Sequence, residues 1–184
     1  MKNIINQPYK KYISISFIVC LFAMGMVGSA LAQEQNQVAI DPTNPSELVN
    51  STSLGEINVL LTEAYTHMGT RYRSGGKNPN GFDCSGFVGY CYNKTLGIKT
   101  PASSSGFHDA GIHVPKSSAR PGDVICFTGS NASRRISGHV GIITEVTDSN
   151  VYFIHAAVSG GIRVDALNQP YYKARFLEIR RFFQ

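Results

Sequence analysis

Cys84 stands in the run Gly81-Phe82-Asp83-Cys84-Ser85-Gly86-Phe87-Val88, where it opens a helix. Lys77-Asn78-Pro79-Asn80-Gly81 before it reads as a turn. Phe87, Val88, Cys91 and Tyr92 after it fall on one face at helical spacing, predicting a helix that ends near Thr95 with Gly97 as its stop. A thiol in a first helical turn faces unpaired backbone N–H groups and the positive end of the helix dipole, and both favour thiolate. Thiolate is the nucleophilic form, so the position implies covalent catalysis once a base, and a group to orient that base, are found.

Two histidines answer that requirement. His139 opens a strand in Gly138-His139-Val140-Gly141-Ile142-Ile143, and His155 closes the next one in Val151-Tyr152-Phe153-Ile154-His155-Ala156. Asp148-Ser149-Asn150 between them predicts a hairpin. A turn centred near Thr147 sets the two histidines opposite each other, with Cβ atoms about 5 Å apart. A centre nearer Ser149 offsets them by about four residues, too far without a bulge. Both registers stay open on the sequence. The residue types assign Cys84 as nucleophile, His139 as general base and then acid, and His155 as the group that holds the His139 ring. A zinc site from the same three residues would draw its cysteine from a knuckle of closely spaced ligands, and the chain has none, so neither a metal nor another cofactor is implied. His67 falls in the last turn of a helix, where a cation suits the dipole, and His108 and His113 fall in a loop-rich stretch and read as solvent-exposed.

The segments around these residues set where they act. Residues 1–32 read as a signal peptide: Lys2, Lys10 and Lys11 precede an apolar run of roughly 15 residues, and Ala30-Leu31-Ala32 supplies the small-residue cleavage pattern. That run is short of the roughly 20 residues of a spanning helix, so no stable membrane span is expected after processing. Export to the periplasm or cell envelope, or secretion, follows. Without the leader's three lysines, 14 Lys and Arg face 12 Asp and Glu, a net charge of about +2. No basic stripe interleaved with aromatics remains, which argues against nucleic acid as a partner. Arg134-Arg135 and Arg180-Arg181 read as solvated surface. Three cysteines stay in the mature chain. Cys84 and Cys91 lie about 10 Å apart along one helix, too far to bridge, and Cys126 reads as a buried strand residue. An odd count leaves a free thiol, and stability must come from a hydrophobic core, for which about 130 residues suffice.

Residues 33–52 are polar, carry Pro42 and Pro45, and read as a linker; residues 53–184 form the domain. Ser53 and Glu56 have capping-box spacing, and Ile57, Leu60, Leu61, Ala64, Tyr65 and Met68 make one apolar stripe, predicting a helix over 54–68. Beyond Pro121 come five β-rich runs, at 124–127, 139–146, 151–157, 162–164 and 176–182. Helices first and strands afterwards predict an α+β domain with N-terminal helices packed on a mostly antiparallel sheet of five to six strands.

Arg71-Tyr72-Arg73-Ser74-Gly75-Gly76, the Cys84 run, Arg120-Pro121-Gly122-Asp123-Val124, Gly138-His139-Val140-Gly141-Ile142 and Ile154-His155-Ala156 occur in that order. Together they resemble the NlpC/p-sixty family of bacterial cell-wall cysteine peptidases. The tail Asn168-Gln169-Pro170-Tyr171-Tyr172 is similar to that family's small envelope members of the Spr type. The resemblance covers about residues 54–184. It implies a papain-like core and hydrolysis of peptidoglycan stem peptides, usually between the γ-carboxyl of D-glutamate and the L-centre of a diamino acid. It also implies Cys84, His139 and His155 as the triad, Tyr72 as an oxyanion or substrate contact, and Asp83 and Ser85 as contacts to the amine end of the stem. Asp83 is equally placed to be a helix N-cap. Where the family often has arginine after the proline, this chain has Ala102 in Pro101-Ala102-Ser103-Ser104, which removes a contact to a substrate carboxylate. Cleavage of D,D cross-links, a thiol-dependent amidase or acyltransferase, and an inactive wall-binding module stay open on the sequence.

Overall fold

The computed structural model describes residues 45–183, with side chains from residue 53 onward. The expected signal peptide and the first part of the expected linker lie outside these residues. Helix α1 runs Pro45–Thr66. It therefore begins well before Leu54, and the last residues of the expected linker are its first turns. The missed signal is Asn44-Pro45, residue types that suit an N-cap followed by the first helical position. Ser53 and Glu56 consequently lie inside the helix instead of at its start.

A short hairpin of β1 (Lys77–Asn78) and β2 (Gly81–Phe82) leads into α2 (Cys84–Leu96), which stops where Gly97 takes a left-handed conformation at φ 66°. Six strands then form one sheet: β3 (Ile112–Val114), β4 (Val124–Thr128), β5 (Ser137–Val146), β6 (Val151–Ala157), β7 (Gly161–Ala166) and β8 (Phe176–Arg181). Their order is β3-β8-β4-β5-β6-β7, with antiparallel pairing throughout. The domain is α+β, as expected. The sixth strand, β3, comes from the proline-rich stretch read as loop; three residues are too few to show an alternation.

The sheet is apolar on both faces. One face carries Val124, Cys126, Val140, Ile142, Ile154 and Ala156 against Ile57, Leu60 and Ala64 of α1 and Phe87, Val88, Cys91 and Tyr92 of α2. The other carries Ile125, Phe127, Ile143, Phe153 and Ile179 and is covered by Leu167 and by Tyr172 of the short helix α3 (Pro170–Arg175). All three cysteines of the domain are buried and free. Among the described residues no helix is long and apolar enough to cross a membrane.

Several residues read as surface turn out to be structural. Arg181 holds the buried Asp123 carboxylate through Nε at 2.7 Å and a second guanidinium nitrogen at 2.8 Å, tying β8 to the start of β4. Arg180 pairs with Glu178. His67 follows the end of α1 and is buried edge-on against Phe82 and Tyr90, with Nε2 2.8 Å from Glu63. Its partner is thus that carboxylate, which also takes Lys94 of α2 at 2.8 Å. His113 is exposed, and His108, though exposed, is hydrogen-bonded to Glu178 at 2.6 Å.

Gly86 fixes how the segment before β1 meets α2. A Cβ at this position would drive into the backbone carbonyl oxygen of Gly76, an atom that also accepts a hydrogen bond from the Asp83 N–H at 2.9 Å. Gly86→Ala should therefore destabilise the domain by about 1–3 kcal/mol, the usual cost of overpacking. Urea unfolding monitored by circular dichroism checks this; an unchanged midpoint would show that the two segments do not need this contact.

Candidate active site

Asp83 builds the start of α2. Its backbone is extended (φ −90°, ψ 177°) and its carboxylate accepts the Gly86 N–H at 2.6 Å, an N-cap bond. The Ser85 hydroxyl proton is shared between Asp83 Oδ1 at 3.0 Å and the Ala102 carbonyl at 3.2 Å. Cys84 sits between these two residues with only 8% of its surface exposed. Tyr72, half-buried on the preceding loop, joins Phe82 by an isolated bridge, and its pKa is raised by burial and by the proximity of the ionisable Cys84 and Asp83.

The histidines meet through an irregularity in the hairpin. Near the turn, Val146 pairs with Val151 and Glu145 with Tyr152; past Thr144 the pairs are Ile143 with Phe153 and Ile142 with Ile154. The first register, extended, would put His139 and His155 on opposite faces of the sheet. One extra residue at Thr144 changes the parity, and the second register puts them on the same face as diagonal neighbours. Neither register anticipated from the sequence is the one formed. Gly141, the residue between, must lack a side chain: a Cβ there would lie 3.0 Å from the His155 Cβ and 2.9 Å from the Ile154 carbonyl oxygen. The rings stand at 87° to each other, and His139 Nε2 lies 2.7 Å from His155 Nδ1. This bond occupies Nε2 of His139 and leaves Nδ1 as its second functional nitrogen.

The β5–β6 pairing ends at Ile142 and Ile154, and beyond it the backbone N–H of Val140 points at the Cys84 sulfur. The N–H groups of Cys84 and Ser85 face the same atom. The thiol is thus placed beside the residue that follows the candidate base. Its pKa is nonetheless raised: burial outweighs the three backbone N–H groups, and the Asp83 charge adds to it. The expectation that the helix start alone would produce thiolate gives way to a protonated resting thiol. His139 is pushed down to about 3 by burial and by His155 beside it, and is neutral.

Behind His155 lies a polar cluster that the sequence did not disclose. His155 is 1% exposed and its pKa is lowered by burial. Its Nε2 lies 2.8 Å from Asp165 Oδ2, which also takes Arg163 Nε at 2.7 Å and the Tyr172 hydroxyl at 2.8 Å. Burial works against the Asp165 charge, but hydrogen bonds from His155, Tyr172 and Arg163 prevail and hold the carboxyl well below its ordinary range. The available signal was period-two spacing: Arg163 and Asp165 share a face of β7, and Arg163 pairs directly with His155. With both ring nitrogens engaged, His155 has no lone pair to offer a metal.

Two grooves border residues next in sequence to the thiol and the imidazole. One, of about 440 Å³, is lined by Ser85, Lys77, Lys94, Lys99 and Ala102; the other, of about 320 Å³, by Gly138, Ser137, Ser130 and Arg134. Ser85 follows Cys84 and Gly138 precedes His139, so each groove borders the immediate neighbour of one of the two.

Comparison with known proteins places this arrangement. Over 113 residues the chain is 34% identical to murein DD-endopeptidase MepS/murein LD-carboxypeptidase of Escherichia coli K12, covering 61% of this chain and 56% of that protein. Over 124 residues it is 35% identical to gamma-DL-glutamyl hydrolase of Bacillus subtilis, covering 67% of this chain and 29% of that one. The chain thus spans about half, or less, of the length of these curated relatives. The crystal structure of an NlpC/P60 family protein from Bacillus cereus superposes with a TM-score of 0.61 at 27% identity, over 70% of this chain and 40% of that one. Residues 69–181, which hold Tyr72, Cys84, His139 and His155, match the NlpC/P60 family, and the chain belongs to it.

Proposed function

We propose that this protein is a cysteine peptidase that hydrolyses amide bonds in the stem peptides of peptidoglycan. One observation carries the reading: a 2.7 Å His139–His155 hydrogen bond beside a buried thiol whose sulfur faces three backbone N–H groups. In the mechanism, Cys84 Sγ attacks the scissile carbonyl carbon as its proton passes to Nδ1 of His139. The oxyanion is held by N–H groups at the start of α2 and by the Tyr72 hydroxyl. The His139 imidazolium gives its proton to the leaving amine, and the C–N bond breaks to leave a thioester on Cys84. A water molecule then attacks the thioester while His139 takes its proton. The acid product departs, and the proton returns to sulfur.

The cationic side chains in both grooves suit a substrate with carboxylates on either side of the cut bond, as stem peptides have. Lys77 and Lys99 beside Ala102 supply positive charge where the family's arginine is missing. Ser85 borders the same groove and Asp83 accepts its hydroxyl proton; the two serve the amine end of the stem, although both also build the helix start. We favour the bond between γ-D-glutamate and the diamino acid; the E. coli relative's name supports a second reading, cleavage of D,D cross-links. The Lys-rich leader and its Ala30-Leu31-Ala32 site support action outside the cytoplasm, in the periplasm or cell envelope.

Incubating the purified protein with defined muropeptides and weighing the products identifies the bond. Cys84→Ala should lower product release by ~10³-fold or more with the melting temperature retained; full activity in that variant would refute the mechanism. The pH profile gives a separate check. A base whose pKa is depressed stays unprotonated as the pH falls, so the acid limb of kcat/KM should lie clearly below the ordinary imidazole value of 6.5. A limb at or above that value would show that a different group, or a solvated His139, limits the rate.

A further inference from the structure

We infer that Asp165 is a positioning residue that fixes the tautomers of both histidines, so that the unprotonated nitrogen of His139 is the one left for the thiol. An ionised carboxylate only accepts hydrogen bonds. Three groups converge on its Oδ2: Arg163 Nε at 2.7 Å, His155 Nε2 at 2.8 Å and the Tyr172 hydroxyl at 2.8 Å. Gln169 Nε2 approaches Oδ1 at 3.3 Å. A bare imidazole nitrogen 2.8 Å from this oxygen would set lone pair against lone pair, so His155 Nε2 carries hydrogen and donates. Neutral His155 then has its lone pair on Nδ1. The atom 2.7 Å away, His139 Nε2, must donate to it. Neutral His139 therefore carries no proton on Nδ1.

Without the carboxylate the order inverts. The Tyr172 hydroxyl stands 3.2 Å from His155 Nε2 and, lacking Asp165, donates to it. His155 would then hold its proton on Nδ1 and give it to His139 Nε2, leaving His139 protonated on the side meant for the thiol. A base already carrying that proton cannot accept one. Arg163 stabilises the charge of Asp165 and, being a cation, does not compete as an acceptor.

This inference rests on the proposed peptidase reading for its rate effect, but its core is measurable without substrate. Long-range ¹H–¹⁵N spectra of the wild-type protein should show both His139 and His155 as the Nε2–H tautomer; either ring found as Nδ1–H overturns the assignment. In Asp165→Ala, His139 should shift to the Nδ1–H form, and alkylation of Cys84 by iodoacetamide should slow by roughly 10- to 100-fold, a usual cost of removing a group that orients a histidine. Muropeptide kcat should fall in parallel with KM little changed. Asp165→Asn retains an oxygen able to accept the same three donors and should recover the wild-type tautomers and most of the alkylation rate. Wild-type tautomers and alkylation in Asp165→Ala would refute the role. If instead the spectra and alkylation behave as expected while no muropeptide is cut by the wild type, the peptidase reading fails and the positioning role stands.

Discussion

Side chains on a β-strand alternate between faces, and this site depends on parity. Two residues on antiparallel strands share a face only if the register between them has the right even or odd sum. The turn between β5 and β6 gives the wrong one for His139 and His155; Thr144, as a single unpaired residue, corrects it. A bulge is thus the condition for the histidine pair, and everything beyond it follows from position. Once the rings share a face, Phe127 and Phe153 wall them in, His155 reaches Asp165, and Gly141 stays bare to let the rings approach. The other end of the same bulge leaves the hairpin register near its turn undisturbed, held by paired hydrogen bonds between Thr147 and Asn150.

The electrostatics of the site oppose a simple picture of a thiolate resting on a helix dipole. Burial raises the energy of any charge, and it acts on Cys84 and His139 together. The thiol is pushed up and the imidazole down, so each change moves the pair towards its neutral form. In the proposed mechanism the charged pair forms as the substrate carbonyl accepts electron density. Donors then matter at the moment of attack: the N–H groups around the sulfur and the permanent charge of Asp165, two hydrogen bonds away from His139. Preorganised dipoles in a site with little water contribute most when charge develops late. A buried, neutral thiol is also poorly reactive towards bulk oxidants.

Local features were legible in the sequence and long-range ones were not. The start of α2 at Cys84, its Gly97 stop and its buried face of Phe87, Val88, Cys91 and Tyr92 all follow from turn chemistry and helical period, and the structure has them. The five strand runs were visible for the same reason. The hairpin register was not, because a bulge has no composition signature when its extra residue is an ordinary threonine. Asp165 was invisible for a related reason: it lies at the edge of a short predicted strand, and its importance depends on which residue of β6 faces Arg163. Arg180 and Arg181 read as surface because a charge run usually is; what overrides that for Arg181 is the buried Asp123, more than 50 residues away in sequence, and for Arg180 the buried Glu178. The early start of α1 is a different failure, since prolines at 42 and 45 count as breakers in a linker and as starters at the first position of a helix.

The glycines show how the two halves of the site are brought to contact distance. Gly86 and Gly141 have no positive φ to explain them; what they share is an absence of room. At Gly86 the obstacle is the Gly76 carbonyl, on the loop that carries Tyr72; at Gly141 it is the Ile154 carbonyl and the His155 Cβ. One glycine lets the loop lie on the helix that Cys84 opens, and the other lets His155 lie under His139. In both, an added methyl would meet backbone, which cannot move aside as a flexible side chain can. Van der Waals energy rises steeply over a few tenths of an ångström, so the tolerance at these positions is smaller than at a core residue with a rotamer to change. The distances of 2.7–2.8 Å between rings and carboxylate are reached because the backbone between them carries nothing.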